Sequence, residues 1–295
     1  MKQPVFTGSC TALVTPFRPD GSICLEEMGR LIDYQIENGT DALLVCGTTG
    51  ESASLTDDEK LRCISFAADR VKGRVPVLAG TGSNDTCHAM QLSRRAREMG
   101  ADALLVVTPY YNKTSQAGLV QHFEAIANEC RCPIVLYNVP SRTGMNLAPE
   151  TLRRLCENPY ITAVKEASGN LSQCVRMAAL CKDEAVLYSG NDDQVLPLLA
   201  MGAKGVISVA ANAAPRQMHA LCQAWFCGDT ETARSWQLWA ARLSEALFCD
   251  VNPIPIKYAM TLLGWQTGRM RLPLVPPQPA EKRKIESALQ ACGLL

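Results

Sequence analysis

GTDALLVCGTTGE (39–51) and GADALLVVTPYYN (100–112) are two readings of one pattern: a small residue, an aspartate, an unbroken apolar run, then a polar or glycine-rich turn. A second pair interleaves with it, RVPVLAG at 74–80 and RCPIVLY at 131–137. Both pairs are offset by roughly 60 residues, the length of two strand–helix units of about 30. Equal offsets in interleaved repeats point to one fold with equivalent positions and argue against two unlike domains.

Working outward, the full set of strand-like runs is Thr11–Val14, Ala42–Cys46, Val75–Ala79, Ala103–Val107, Ile134–Tyr137, Ile161–Val164, Val186–Tyr188 and Gly205–Val209. They are continuous rather than alternating, as strands buried on both faces are. Helical patterns lie between them. Leu25–Asn38 stops at Gly39, Asp57–Val71 follows Thr56 with Glu59 in place for a capping box, and Asn84–Met99 ends at Gly100. Eight strand–helix units predict a closed parallel (β/α)8 TIM barrel over 1–212. Beyond it, Ala214–Cys227, Asp229–Phe248, Pro253–Leu263 and Ala280–Cys292 predict a C-terminal helical extension, residues 213–295.

Composition narrows the function. The 29 basic residues balance 29 acidic ones, and no charge run suggests nucleic acid or a membrane surface. The N-terminus MKQPVFTGSC has no apolar run of signal-peptide length, and no stretch approaches the roughly 20 residues of a membrane span, so a cytosolic location is expected. The 14 cysteines are irregularly spaced in apolar segments, which predicts reduced, mostly buried thiols.

Barrel enzymes carry their chemistry at the C-terminal ends of the strands. The residues closing the apolar runs are Gly47–Glu51, Thr108–Asn112, Tyr137–Gly144, Lys165-Glu166, Ser189–Asp192 and Ile207-Ser208. Lys165 is the foremost candidate. A neutral amine is a nucleophile, and an apolar interior disfavours the ammonium form. Taken alone, Lys165 reads as a lysine leaving a strand for solvent; the surrounding threonines, tyrosines and arginine favour the nucleophile. Tyr137 can donate and accept a proton, or serve as an interfacial aromatic. Thr48 and Thr49, in a glycine-flanked turn, suit a small carboxylate or simply close the turn. Arg142 can grip a second carboxylate with two prongs, or make a surface ion pair. The three histidines, His88, His122 and His219, all fall in helical patterns, which argues against a histidine metal site. Asp192 and Asp193 read as helix-capping acids rather than magnesium ligands. No G-x-G-x-x-G follows a strand, so no dinucleotide is implied.

In order and spacing, GTTGE at 47–51, TPYYN at 108–112, YNVPSRTG at 137–144, VKEASGN at 164–170, GVISV at 205–209 and Asn252-Pro-Ile-Pro resemble the dihydrodipicolinate synthase (4-hydroxy-tetrahydrodipicolinate synthase) family across essentially the whole chain. The resemblance implies a Schiff-base lyase of lysine and diaminopimelate biosynthesis. Lys165 would form an imine with pyruvate, whose enamine attacks L-aspartate 4-semialdehyde. It assigns Tyr137, Thr48 and Tyr111 to a proton relay, Tyr111 arriving from a neighbouring subunit. It places Thr49 and Ile207 against pyruvate and Arg142 on the semialdehyde carboxylate. It implies no organic or metal cofactor and a homotetramer built as a dimer of dimers. Two rivals remain. A sugar-acid aldolase such as N-acetylneuraminate lyase would share the imine lysine, but Arg142 within SRTG favours a short carboxylated electrophile. A catalytically silent binding relative would not need the intact Lys165–Tyr137–Thr48 set.

The same resemblance raises a regulatory expectation. Lysine-sensitive members bind L-lysine through a His, a Glu, an Asn and a Tyr beside the relay tyrosine. Here Asn84 and Tyr110 are kept, while Lys60 stands at the His position and His88 at the Glu position. Two unit charges about 4–6 Å apart near a surface interact by roughly 3–4 kcal/mol. Losing an attraction and gaining a repulsion therefore predicts insensitivity to L-lysine, unless Asp57 or Glu51 substitutes as the anion.

Overall fold

The computed structural model describes residues 2–295. Its eight strands are β1 (Gly8–Ala12), β2 (Ala42–Val45), β3 (Val77–Gly80), β4 (Ala103–Val107), β5 (Ile134–Asn138), β6 (Ile161–Glu166), β7 (Val186–Ser189) and β8 (Gly205–Ser208). All pair in parallel, each with the next, and β8 returns to β1, so the sheet closes as a (β/α)8 barrel.

The helices are α1 (Leu25–Glu37), α2 (Asp57–Val71), α3 (Thr86–Glu98), α4 (Gln116–Cys130), α5 (Pro140–Thr143), α6 (Pro149–Leu155), α7 (Leu171–Cys181) and α8 (Val195–Ala200), then α9 (Pro215–Phe226), α10 (Thr230–Leu247), α11 (Ile254–Leu262) and α12 (Pro279–Ala291). The capping box at Thr56 forms as expected: its hydroxyl accepts from Glu59 N, and Glu59 Oε2 accepts from Thr56 N at 2.9 Å. None of the described helices is long and apolar enough to cross a membrane. The cysteines are all free thiols, and most are buried.

Strand alternation makes two concentric cores. Leu43, Val45, Leu104, Val106, Leu136 and Val164 face outward into the layer shared with the helices. Cys10, Ala12, Ala42, Leu44, Leu78, Leu105, Val135, Ala163 and Ile207 fill the interior. Phe6, entering ahead of β1, packs into this interior and stacks on Tyr188, with ring centroids 4.3 Å apart and planes 9° from parallel. The Tyr188 hydroxyl donates to the Phe6 carbonyl at 2.7 Å.

Several boundaries depart from the sequence reading, and two of the departures have a plain physical cause. β1 begins at Gly8 rather than Thr11, although glycine and serine are poor strand formers. The ladder to β8 overrides that preference, and a Cβ on Gly205 would lie 1.9 Å from the Gly8 carbonyl, so the contact itself requires glycine. α3 starts at Thr86, not Asn84, because the Asp85 carboxylate caps it by accepting from Cys87 N at 2.8 Å. After β8, α9 packs on β1 and α8, and α10 on α9 and α12. α11 brings the segment around Asn252 and Lys257 under the second strand's turn.

Candidate active site

Along β6, Ala163 and Lys165 point inward while Val164 and Glu166 point outward. The outward carboxylate is locked: Glu166 Oε2 accepts from Asn138 Nδ2 at 2.8 Å and Oε1 from Ser168 N at 2.7 Å. Locking Glu166 fixes the roll of the strand, and so the aim of its neighbour. Lys165 is within the strand rather than just past it, and is 5% exposed. Its register partner on β5 is Tyr137, and its Nζ lies 4.5 Å from the Tyr137 ring centroid, a cation–π contact. Gly190, after β7, leaves the room: a Cβ there would meet Lys165 Cε at 3.1 Å and Ala167 Cβ at 2.6 Å.

The turn after β2 presents Thr48 and Thr49. Cys46 leaves the strand at φ 54° and Glu51 lies at φ 56°, both left-handed. Gly80 on β3 permits the turn, since a Cβ there would stand 2.1 Å from the Cys46 carbonyl. Glu51 borders the cavity, but its carboxylate is engaged elsewhere. It is buried, its Oε1 held by Lys257 Nζ at 2.8 Å and its Oε2 by Arg271 N at 3.0 Å. Lys257 also donates to the Thr15 carbonyl at 3.1 Å and sits 4.5 Å over the Phe17 ring. Burial pulls the Lys257 ammonium below its usual range, and the Glu51 carboxylate pulls back. Thr49, 2% exposed, accepts from Asn252 Nδ2 at 3.0 Å.

A cavity of about 450 Å³ opens at this end, walled by Thr48, Tyr110, Tyr137 and Arg142, and extending to Cys46, Lys60 and Leu272–Leu274. Thr49, Lys165 and Ile207 are buried and do not wall it, but Tyr137 touches both the cavity and the amine. Arg142, on α5, is exposed and donates from Nη2 to the Asn252 carbonyl at 3.1 Å. Tyr111 is not gathered with the others. At φ 68° it projects outward, 92% exposed. A notch of similar size between α1 and α2, about 440 Å³, is lined by Asp33, Arg70 and Arg74, and both arginines pair with the one aspartate.

Asp192 corrects the sequence reading. Its carboxylate does not cap the short turn it opens; Oδ2 reaches across to accept from Val209 N at 3.1 Å and Ala210 N at 2.9 Å. It thus pins the end of β8 beside Ile207. Burial pushes this carboxyl up, against the pull of Ser208 and the two amides. Three supporting residues escaped the sequence reading: Asn252, Lys257 and Arg271. Asn252 opens a motif that was noticed, but nothing in its neighbours signals a bond to Thr49.

The altered positions, Lys60 and His88, form their own cluster with Asp57. Asp57 Oδ2 is 2.7 Å from His88 Nε2, and Asp57 Oδ1 is 3.6 Å from Lys60 Nζ. Burial favours the protonated acid, but the His88 and Lys60 contacts outweigh it and hold the Asp57 carboxyl below its usual range.

Comparison with known proteins adds a lineage. A profile described as the dihydrodipicolinate synthetase family matches residues 5–292. A 4-hydroxy-tetrahydrodipicolinate synthase from Caldicellulosiruptor saccharolyticus is 50% identical over 291 residues, covering 99% of this chain and 98% of that protein. The lysine-bound dihydrodipicolinate synthase of Cyanidioschyzon merolae superposes with a TM-score of 0.96 at 41% identity, covering 99% of this chain and 100% of that one. The chloride-inhibited enzyme of Acinetobacter baumannii, complexed with pyruvate, gives 0.96 at 38% identity, covering 98% and 99%.

Proposed function

The chain belongs to the dihydrodipicolinate synthetase family, whose members are Schiff-base-forming lyases, and from that premise we propose that it condenses pyruvate with L-aspartate 4-semialdehyde. The observation that carries this reading is the Lys165 amine, buried within a closed barrel and set against the face of Tyr137. The Lys165 amine attacks the keto carbon of pyruvate, and loss of water leaves an imine. Its nitrogen can carry positive charge, which acidifies the methyl group and permits the enamine. The enamine carbon attacks the aldehyde, and the substrate amine then displaces the lysine to close the ring. Tyr137 and Thr48 move protons at these steps, completed by Tyr111 from a second copy. The outward, exposed Tyr111 supports that last assignment. Thr49 and Ile207 hold pyruvate, and Arg142 takes the semialdehyde carboxylate. The working assembly is a cytosolic homotetramer, a dimer of dimers.

Borohydride reduction in the presence of pyruvate tests the anchor. A reduced pyruvyl group on Lys165 is expected; a label on another lysine, or none, overturns the mechanism. Turnover of aspartate semialdehyde against N-acetylmannosamine separates a synthase from a sugar-acid aldolase. Arg142→Ala is expected to weaken semialdehyde use far more than pyruvate use, since losing a charged hydrogen-bonded pair costs about 2–5 kcal/mol.

The enzyme is also read as insensitive to L-lysine. Glu51, one possible substitute anion, is spent on Lys257. Asp57, the other, is engaged by His88 and Lys60. An incoming ammonium therefore meets an already neutralised cluster. A steady-state assay titrated with L-lysine decides this, and sub-millimolar inhibition would show the charge argument to be wrong.

A further inference from the structure

The barrel has one thin seam, between β7 and β8. β8 pairs with β1 along its whole length, Gly205 to Ser208, but with β7 at a single position, Val206 opposite Ser189. Below that position Lys204 N donates to the Leu187 carbonyl at 2.9 Å. Past Ser189 the chain leans the other way, and Gly190 N donates to the Glu166 carbonyl on β6 at 2.8 Å. A Cβ on Gly190 would stand 3.1 Å from Lys165 Cε, so the two strands part beside the proposed nucleophile. The Asp192 carboxylate spans the parting. It is 1% exposed, and its Oδ2 accepts from Val209 N and Ala210 N, just past the end of β8.

Asp192 is itself held from outside the barrel. Gln237, on α10, lies on the buried face of that helix with Ala233, Ala240 and Ser244. Its Nε2 donates to the Asp192 carbonyl at 3.0 Å, and its Oε1 accepts from Leu196 N at 2.6 Å. One side chain thus clamps both ends of the turn that carries the carboxylate. Neither Gln237 nor Asp192 walls the catalytic cavity. We infer that Gln237 and Asp192 are positioning residues for the pyruvate-binding end of β8. The C-terminal extension holds the turn, the turn holds Val209 and Ala210, and Ile207 thereby keeps its place in the barrel interior.

Polar groups stranded in the interior are costly, and the chain moves to find them partners. Gln237→Leu strands the Asp192 carbonyl and Leu196 N together. Those groups regain partners only if the turn shifts, and Val209 and Ala210 shift with the carboxylate they bind. Asp192→Ala removes the link outright. Asp192→Asn keeps an oxygen able to accept from both amides, so it preserves the seam. Trp239→Phe supplies the contrast. It removes a bond on the same helix, Trp239 Nε1 to the Cys292 carbonyl at 3.2 Å, which leads away from β8.

This inference rests on the proposed role of Ile207 against pyruvate, and the test keeps the two apart. The four variants and the unaltered enzyme are compared by KM for each substrate, by borohydride trapping of pyruvate, and by amide hydrogen exchange over residues 205–211. Gln237→Leu and Asp192→Ala are expected to raise the KM for pyruvate about fivefold or more. The KM for the semialdehyde should stay within about twofold, trapping at low pyruvate should slow, and exchange over 205–211 should quicken. Asp192→Asn is expected to restore the KM for pyruvate to near its original value. Trp239→Phe is expected to lower the urea midpoint without moving that KM. Should Asp192→Ala fail to fold, Gln237→Leu and Asp192→Asn still decide. Equal rises for both substrates, no rescue by Asp192→Asn, or a Trp239→Phe shift as large as that of Gln237→Leu overturns the inference. Lack of trapping by the unaltered enzyme would count against the proposed function alone, and the exchange rates would still report on the seam.

Discussion

The side-chain amide of Asn252 donates to the Thr49 hydroxyl at 3.0 Å, joining two residues 203 positions apart. The same residue accepts from Arg142 through its backbone carbonyl, so one buried asparagine touches both groups proposed to bind carboxylates. Removing one partner of a buried hydrogen bond costs about 1–3 kcal/mol. Asn252→Ala is therefore expected to lower kcat/KM for pyruvate by about tenfold to a hundredfold. Both Asn252→Ala and Asn252→Asp keep the backbone carbonyl that Arg142 uses and lose the side-chain donor to Thr49, so each is expected to raise the KM for pyruvate more than that for the semialdehyde. Equal losses for both substrates would mean that Asn252 merely supports the fold.

The buried Lys257–Glu51 pair ties α11 to the turn that carries Thr48 and Thr49. Breaking a buried pair by removing one partner costs about 3–5 kcal/mol, because the other charge is left without compensation. Lys257→Met is expected to lose stability of that order, measured as a lowered urea midpoint. A change within error would show that Glu51 finds enough in Arg271 N alone.

Gly190→Ala probes the space around the proposed nucleophile, Lys165. The added methyl meets Lys165 Cε and Ala167 Cβ, and overpacking of this kind costs about 1–3 kcal/mol. Imine trapping at Lys165 is expected to slow more than the fold weakens. If trapping proceeds at the original rate while the midpoint falls, the crowding is absorbed by Ala167.

Glu59 gives a pH signature. Hydrogen bonds from Arg271, aided by the Thr56 cap, hold its carboxyl down to about 2 against an ordinary 4.5. A depressed folded value means stability fully present above the unfolded value and lost as pH falls through the folded one. The Tm advantage of the unaltered protein over Glu59→Gln is therefore expected to be constant above pH 4.5 and to vanish toward pH 2. A gap that persists at pH 2 would falsify the ion-pair account.

The barrel was legible because its repeats state the fold twice, and strand alternation places Lys165 inside once Ala163 is inside. Gly8 and Ser9 fall outside the strand expected at Thr11–Val14 because only the distant β8 makes them a strand. Asp192 was misread for a related reason: local sequence offers it a helix to cap, while the folded chain offers it two amides from β8's end. Asn252 and Lys257 were not legible, since their partners Thr49 and Glu51 lie more than 200 residues away. Local pattern reports what a residue can do, and long-range packing decides which neighbour it does it with.

The stack of Phe6 on Tyr188 turns the barrel into a blind well. Whatever is fastened to Lys165 rests near the floor, and later arrivals queue above it. Under the proposed function, the semialdehyde would cork the shaft if it preceded the keto acid, and the ring-closed product would leave by the path both substrates took. The proposed order of addition would thus be an architectural property of the barrel. An analogue of the second substrate, bound on top, would imprison the first and lengthen its residence rather than expel it.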